Sequence, residues 1–499
     1  MYVIEAFVQV FQPMNIIGLV FGTGIGILIG ALPGLSVNMG IALLFPLTFA
    51  YTGIGGILML MGIYCGAIYG GSISAILLNT PGTPASAATT LDGYPLAIKQ
   101  NQPGRALGLS TLGSLFGGVF SAITLMLISP LLAKVALKFS KPEFFALAIF
   151  GISIITSLSS GSVLKGLMGG ILGLFLATIG IDAMSGEIRF TFGTIYLMGG
   201  ISFIPILIGL FAFSQILLTI EESYGKPQQK KVVKIDRSFP SLKDIKKVLS
   251  TLIRSSFIGT FIGCVPGTGG DIASFISYDQ AKKWSKHKEE FGNGALEGIC
   301  APEAGNNAVS GGAFIPMLTL GIPGDGATAI MLGALLVQGI QPGPLLFKEQ
   351  MPTVYSLFLG LLIANIVMGI FGFSLIRLFV KVINVPKKYL LPLIFSLTFV
   401  GAYAYNNSLT DIFIMVGFGI LGYFLNKFEF SMSAIIIGII LGKLAEANFR
   451  GSLIMSDGDM MVFIQHPICL TLLIVAVLSL ISPLLSSAFK RMKNREKTV

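Results

Sequence analysis

The chain has 499 residues, of which 54% are hydrophobic and 11% charged, where an ordinary globular domain carries about 25% charged residues. A mean hydropathy of +0.85 and many apolar runs of spanning length exclude a soluble globular protein, and runs that do not alternate apolar with polar exclude a β-barrel. The formal charge of +10 is no nucleic-acid signal, because the basic residues sit in short loops and near the C-terminal end, as positive-inside topology places them.

The N-terminal MYVIEAF lacks the basic region of a secretory signal. Residues 14–50 are apolar apart from Leu32-Pro33-Gly34-Leu35-Ser36, and a second run over 54–78 ends in Asn79-Thr80-Pro81-Gly82-Thr83-Pro84. Pro81 and Pro84 each remove a backbone donor, so a helix stops here. A new one is expected from about Pro84 or Ala85, with Thr83 as its cap. After a polar connection holding Asp92, Lys99 and Arg105, spans are expected at about 106–129, 143–161, 163–181 and 194–219. Asp182 and Arg189 are expected to fix the polar turn at 180–193. Cys65, Cys264, Cys300 and Cys469 lie far apart without a CxxC and read as packing residues.

Residues 221–247 form the one long soluble segment, rich in lysine from Lys226 to Lys247, and read as a cytoplasmic linker. A second copy of the plan follows. Ile262 to Gly267 matches Ile29 to Gly34, and Pro323-Gly324 with Ala327-Thr328-Ala329 matches Pro81-Gly82 with Ala85-Ser86-Ala87. The breaks lie 48 residues apart in the first half, Pro33 to Pro81, and 57 in the second, Pro266 to Pro323. The nine extra residues fit an insertion near Lys282–Glu290. Five spans are expected after the last break, at about 353–380, 389–404, 411–426, 430–445 and 463–486, before a basic tail (Lys490, Arg491, Lys493, Arg495, Lys497).

The organisation is therefore a first repeat over 1–220, the linker, a second repeat over 248–460, and an added span with a cytoplasmic tail over 461–499. With linker and tail both cytoplasmic and the last span set aside, the units cross an odd number of times and are inverted. Residues 255–280 are too few for two full spans, which need about 40 residues. With Lys282 and Lys283 next in the chain, a re-entrant hairpin with its tip at Pro266-Gly267 fits. The fold expected is an all-α polytopic membrane protein of two inverted-topology repeats, with Pro-Gly-broken re-entrant hairpins and about twelve membrane segments.

Matched breaks in two halves point to a transporter binding site. The candidate site is Pro33, Gly34, Ser36 and Asn38; Asn79, Thr80, Pro81, Gly82, Thr83 and Ser86; Pro266, Gly267 and Thr268; and Pro323, Gly324 and Thr328. Freed backbone N–H groups with hydroxyl and amide neighbours suit an anion that must be released again. The plainer reading is that the glycines and prolines serve tight packing. Asp271, Glu303, Asn306, Asn307 and Asp325 are candidates for a coupling ion, sodium or a proton, since oxygen ligands suit a hard cation. Asp271 and Asp325 also stand where helix caps occur. No other metal or cofactor is expected. Glu446 and Arg450, four apart, read as a structural pair, and His287, His466 and Trp284 as solvated or interfacial.

GALPG (30–34), YGGSISAILLNTPGTPASAATTLDGYP (69–95), APEAGNNAVSGGAFIPMLTLGIPGDGATAIMLGALLVQGIQPGP (301–344) and LAEANFRGSL (444–453) together resemble the large membrane subunit of tripartite tricarboxylate transporters, the TctA type. The resemblance runs over nearly the whole chain. It implies a secondary transporter of about twelve spans in the bacterial cytoplasmic membrane. Its implied partners are a small four-span membrane subunit and an extracytoplasmic solute-binding protein that delivers a citrate-like di- or tricarboxylate. Uptake would draw on an ion gradient, in keeping with the absence of a GxxxxGK[ST] loop; paired hairpins that move as one unit favour an elevator. A passive channel or a sensor would share the broken helices. An intramembrane aspartyl protease would use Tyr278-Asp279, but the expected GxGD is missing, since Asp325 sits in IPGDG.

Overall fold

A computed structural model describes residues 2–51, 53–157, 163–182, 184–223, 239–383 and 387–496. Most of the basic linker, 224–238, and Lys497 lie outside the described residues. In a hydrocarbon surrounding every backbone polar group needs an internal partner, and the apolar runs accordingly become helices.

The first half holds α1 (Tyr2–Val10), α2 (Pro13–Ala31), α3 (Val37–Leu44), α4 (Gly55–Leu78), the short α5 (Thr90–Tyr94), α6 (Pro103–Ala136), α7 (Lys141–Ser157) and α8 (Val163–Ala177). A two-residue β-hairpin, Gly180–Ile181 with Ile188–Arg189, precedes α9 (Phe203–Leu207) and α10 (Ser214–Ser223), which a π turn joins. The second half holds α11 (Leu242–Cys264), α12 (Gly269–Trp284), α13 (Leu296–Leu320), α14 (Gly326–Val337), α15 (Leu346–Glu349), α16 (Met351–Ser374), α17 (Ile376–Ile383), α18 (Lys387–Asn406), α19 (Leu409–Lys427) and α20 (Met432–Met455). The short α21 (Val462–Gln465) and α22 (Pro467–Glu496) follow.

The two halves break their helices in the same way. Leu32 after α2 (φ −90°, ψ 111°) and Val265 after α11 (φ −88°, ψ 113°) take nearly one conformation. The next Pro-Gly pairs put Gly34 and Gly267 at positive φ, which glycine adopts without strain. At the second breaks Asn79 and Gly321 are both left-handed.

Packing repeats as well. A methyl group on Gly22, Gly26 or Gly30 of α2 would lie 2.2, 2.5 or 2.1 Å from the carbonyl oxygens of Met59, Ile63 and Ala67 on α4. One on Gly259 or Gly263 of α11 would lie 2.0 or 2.7 Å from those of Gly305 and Val309 on α13. Both seams ascend together, so each pair of helices is parallel, and small residues let the backbones touch. A parallel neighbour requires a return between them, which α3 and α12 supply. The halves also interlock: Gly117 of α6 abuts Ala304 of α13, and Gly360 of α16 abuts Leu58 of α4.

Eight helices among the described residues are long and apolar enough to cross a membrane; the other apolar helices are shorter, among them α14 and the segment 37–50 that contains α3. Several boundaries move from their expected places. The helix expected over 163–181 stops at Ala177, the one expected over 430–445 runs to Met455, and α11 already begins at Leu242, where Ser241 and Asp244 form a capping box.

Candidate functional site

The four breaks meet. Asn38, past the first break, packs on Gly326, past the fourth: a methyl there would lie 2.6 Å from its Nδ2. Gly270, past the third, packs on Ala85, past the second, at 3.2 Å. The Gly267 N–H donates to the Gly324 carbonyl at 2.6 Å. Two side chains tie each half to the other's second break. Tyr64 Oη on α4 donates to Asp325 Oδ2 at 2.6 Å, and Asn306 Nδ2 on α13 donates to the Ala85 carbonyl at 3.1 Å. Tyr64 and Asn306 occupy the same place in the two copies, each 17 residues before its Pro-Gly.

Between the tips lies a cavity of about 470 Å³, within the range of small-ligand sites. Of the residues expected at a site, Ser36, Asn38, Thr83, Gly267, Thr268, Asp271, Asn306 and Asp325 line it. Among the described residues the wall contains no lysine, arginine or histidine; its donors are hydroxyls, amides and backbone N–H groups. Pro33, Gly34, Pro81, Gly82, Pro266, Pro323 and Gly324 shape the turns without facing the cavity. Asn79 and Thr80 are exposed elsewhere, and Ser86 and Thr328 are buried against their own turns.

The expected helix at Pro84 does not form. Residues Pro84–Ser86 make a single 3-10 turn, so this break offers no helix N-terminus. Nor does the Thr83 hydroxyl cap it: that oxygen has no hydrogen-bond partner, while Ser86 Oγ donates to the Thr83 carbonyl at 2.8 Å. At the fourth break the cap is complete. Asp325 Oδ1 accepts from the Thr328 N–H at 2.8 Å, and Thr328 Oγ1 accepts from the Asp325 N–H at 2.9 Å. Asp325 is thus a helix cap that also faces the cavity. Asp271, in the first turn of α12, is exposed to the cavity. Glu303 and Asn307 do not line it: Asn307 Nδ2 bonds the Glu303 carbonyl at 3.0 Å and Asn306 Oδ1 at 2.8 Å.

Sequence reasoning missed Tyr64, Gln215, Asn426, Ser431 and Ser433 on the wall. Gln215 carried a signal, a lone amide in an apolar run; its Nε2 holds the Gly34 carbonyl at 3.0 Å. Elsewhere Glu446 and Arg450 do pair, inside a larger cluster with Asp182 and Arg189. His466 Nδ1 meets buried Glu143 at 2.7 Å, a specific partner for a residue expected to be merely interfacial. Arg254 stacks over Trp284. Asp279 pairs with Lys283 and does not line the cavity with Asp325, which leaves the protease dyad unformed.

A polytopic α-helical protein with a solute-sized chamber where broken helices meet belongs to the class of membrane transport proteins. The family model described as "Tripartite tricarboxylate transporter TctA family" matches residues 16–437, and the chain belongs to that family. It is 39% identical over 475 residues to an uncharacterized 52.8 kDa protein in the TAR-I ttuC' 3' region of Agrobacterium vitis, covering 95% of this chain and 94% of the relative. It is 38% identical over 229 residues to an uncharacterized protein in the TAR-II ttuC' 3' region of the same organism, covering 46% of this chain and 95% of the relative. No solved structure matches.

Proposed function

We propose that this chain imports a citrate-like di- or tricarboxylate by ion-gradient-driven alternating access. An extracytoplasmic binding protein delivers the substrate, and a small four-span subunit completes the complex in the bacterial inner membrane. The observation that carries this reading is the meeting of four Pro-Gly breaks, two from each half, around one chamber lined by neutral donors. The α2–α3 and α11–α12 pairs act as re-entrant hairpins entering from opposite sides, and the matching parallel seams support one packing plan repeated in the two halves. Neutral donors hold the carboxylates weakly enough for release, at about 0.3–2 kcal/mol per helix terminus. Asp271 and Asp325 add negative charge beside the anion, so a cation must accompany it, which makes the process symport. The Gly267–Gly324 bond and the contacts of Asn38 with Gly326 and of Ala85 with Gly270 tie the tips of both halves into one unit that moves together, as an elevator requires.

The test is uptake of labelled di- and tricarboxylates into vesicles holding the complex, with and without the binding protein and an imposed sodium or proton gradient. Accumulation that needs both supports the reading. Downhill equilibration indifferent to ions indicates a channel, and no carboxylate flux at all ends the proposal.

A further inference from the structure

Glu303 lies within α13, fully buried and away from the cavity wall. Its Oε1 lies 2.5 Å from Thr89 Oγ1, and its Oε2 accepts from Ser114 Oγ at 2.8 Å. Ser72 and Ser110, bonded to each other at 2.7 Å, add further hydroxyls beside it. No basic side chain among the described residues pairs with it. Facing it from α4 is Tyr69, bonded to Thr111, and along its own helix are Cys300 and Glu297, the latter held by Thr251 and Ser285. Asp92, beyond Thr89, is already satisfied by the backbone N–H groups of Gly292, Gly294 and Ala295 and by Tyr278. An ionised carboxylate with hydroxyls alone, away from water, is strongly disfavoured.

We infer that Glu303 is a proton site separate from the substrate cavity, neutral in this conformation, with its O–H directed to Thr89 and with Ser114 donating to its other oxygen. The position gives that proton a task. Thr89 closes the segment 84–89, whose first residues, Pro84 and Ala85, form the cavity wall. Asn306, one turn beyond Glu303, holds the Ala85 carbonyl. Loss of the proton leaves a charge behind this segment, and the segment must shift to admit water or a cation. The coupling role rests on the transport reading above; proton occupancy does not.

Infrared difference spectroscopy of the full chain in lipid nanodiscs, without substrate, tests occupancy. The carbonyl band of a protonated carboxylic acid is expected at neutral pH, lost in Glu303→Gln and kept in Asp271→Asn. The band's absence from the native chain, or its survival in Glu303→Gln, overturns the inference, as does a band that emerges only when sodium is replaced by choline. Thr89→Val reads the same bond without touching the acid: a shifted band supports the contact and an unshifted one refutes it. An intact band with no carboxylate uptake would remove the transport reading and leave the proton site.

Discussion

The two halves share a frame and differ in charge. Counted from their Pro-Gly pairs, Asn38 corresponds to Asp271 and Thr83 to Asp325. Both acids on the cavity wall therefore come from the second half, and the first half supplies an amide and a hydroxyl at the same places. The second breaks differ in rigidity as well. Asp325 is fixed by Thr328 and Tyr64 and starts a helix, while Thr83 Oγ1 has no partner and begins a 3-10 turn. A shared backbone frame thus serves two purposes. The second half places two carboxylates on the wall, one of them held by Thr328 and Tyr64, and the first offers neutral, less constrained groups.

The frame itself is the easiest part to break. Gly26→Val and Gly259→Val occupy matched positions in seams where even a methyl would lie 2.5 and 2.0 Å from a carbonyl oxygen. Each should cost about 1–3 kcal/mol or prevent folding, whereas Gly417→Val, with nothing within 4 Å, should leave the melting temperature unchanged. A large effect in one half only would end the equivalence. Asp325→Ala comes next. It removes a helix cap, about 0.5–2 kcal/mol, and strands the Tyr64 hydroxyl, about 1–3 kcal/mol more; thermal unfolding should show the loss and uptake should fall about tenfold or further. Its counterpart Thr83→Val should shift stability by no more than about 0.5 kcal/mol, because no bond is lost. Equal losses from the two would mean that the charge difference has no structural consequence. Asp271→Asn sharpens the contrast further: stability stays within about 0.5 kcal/mol, but the ion dependence of uptake changes.

Much of this frame was legible because proline and glycine act locally. Pro33-Gly34 and Pro266-Gly267 stop helices wherever they stand, and the nine-residue difference between the halves reappears in the seams, where Gly26 meets Ile63 and Gly259 meets Gly305. Side-chain direction was not legible. Glu303, Asn306 and Asn307 sit on one helix, yet Asn306 alone lines the cavity, because which face α13 turns inward is set by its packing on α6 and α11. The helix expected at Pro84 failed for a similar reason. Asn306 takes the Ala85 carbonyl and Glu303 holds the Thr89 side chain, while the N–H groups of Ser86, Ala87, Thr89 and Thr90 close only tight turns onto residues three before them.

The first half does carry a buried acid in a loop, and there the charge is matched. Asp182 accepts from the N–H groups of Ser185 and Met184 at 2.8 and 2.7 Å and pairs with Arg450 and with Arg189, which also holds Glu446 at 2.6 Å. Those two backbone donors first, and Arg450 after them, hold its carboxyl well below the usual aspartate range. A depressed folded pKa stabilises the folded form above the ordinary value of about 4 and loses that contribution as pH falls below it. Hydrogen-exchange protection in residues 180–200, taken relative to the intrinsic rate at each pH, should therefore stay high and flat across neutral and mildly acidic pH and fall below about pH 4. Asp182→Asn should show lower protection at neutral pH and lose the acid-induced drop. Arg450→Ala, removing half-exposed ion pairs, should lower stability by about 1 kcal/mol or less and leave the ion dependence of uptake untouched. If Arg450→Ala altered ion dependence as Asp271→Asn is expected to, the division between matched structural charge in the loop and unmatched charge in the chamber would fail.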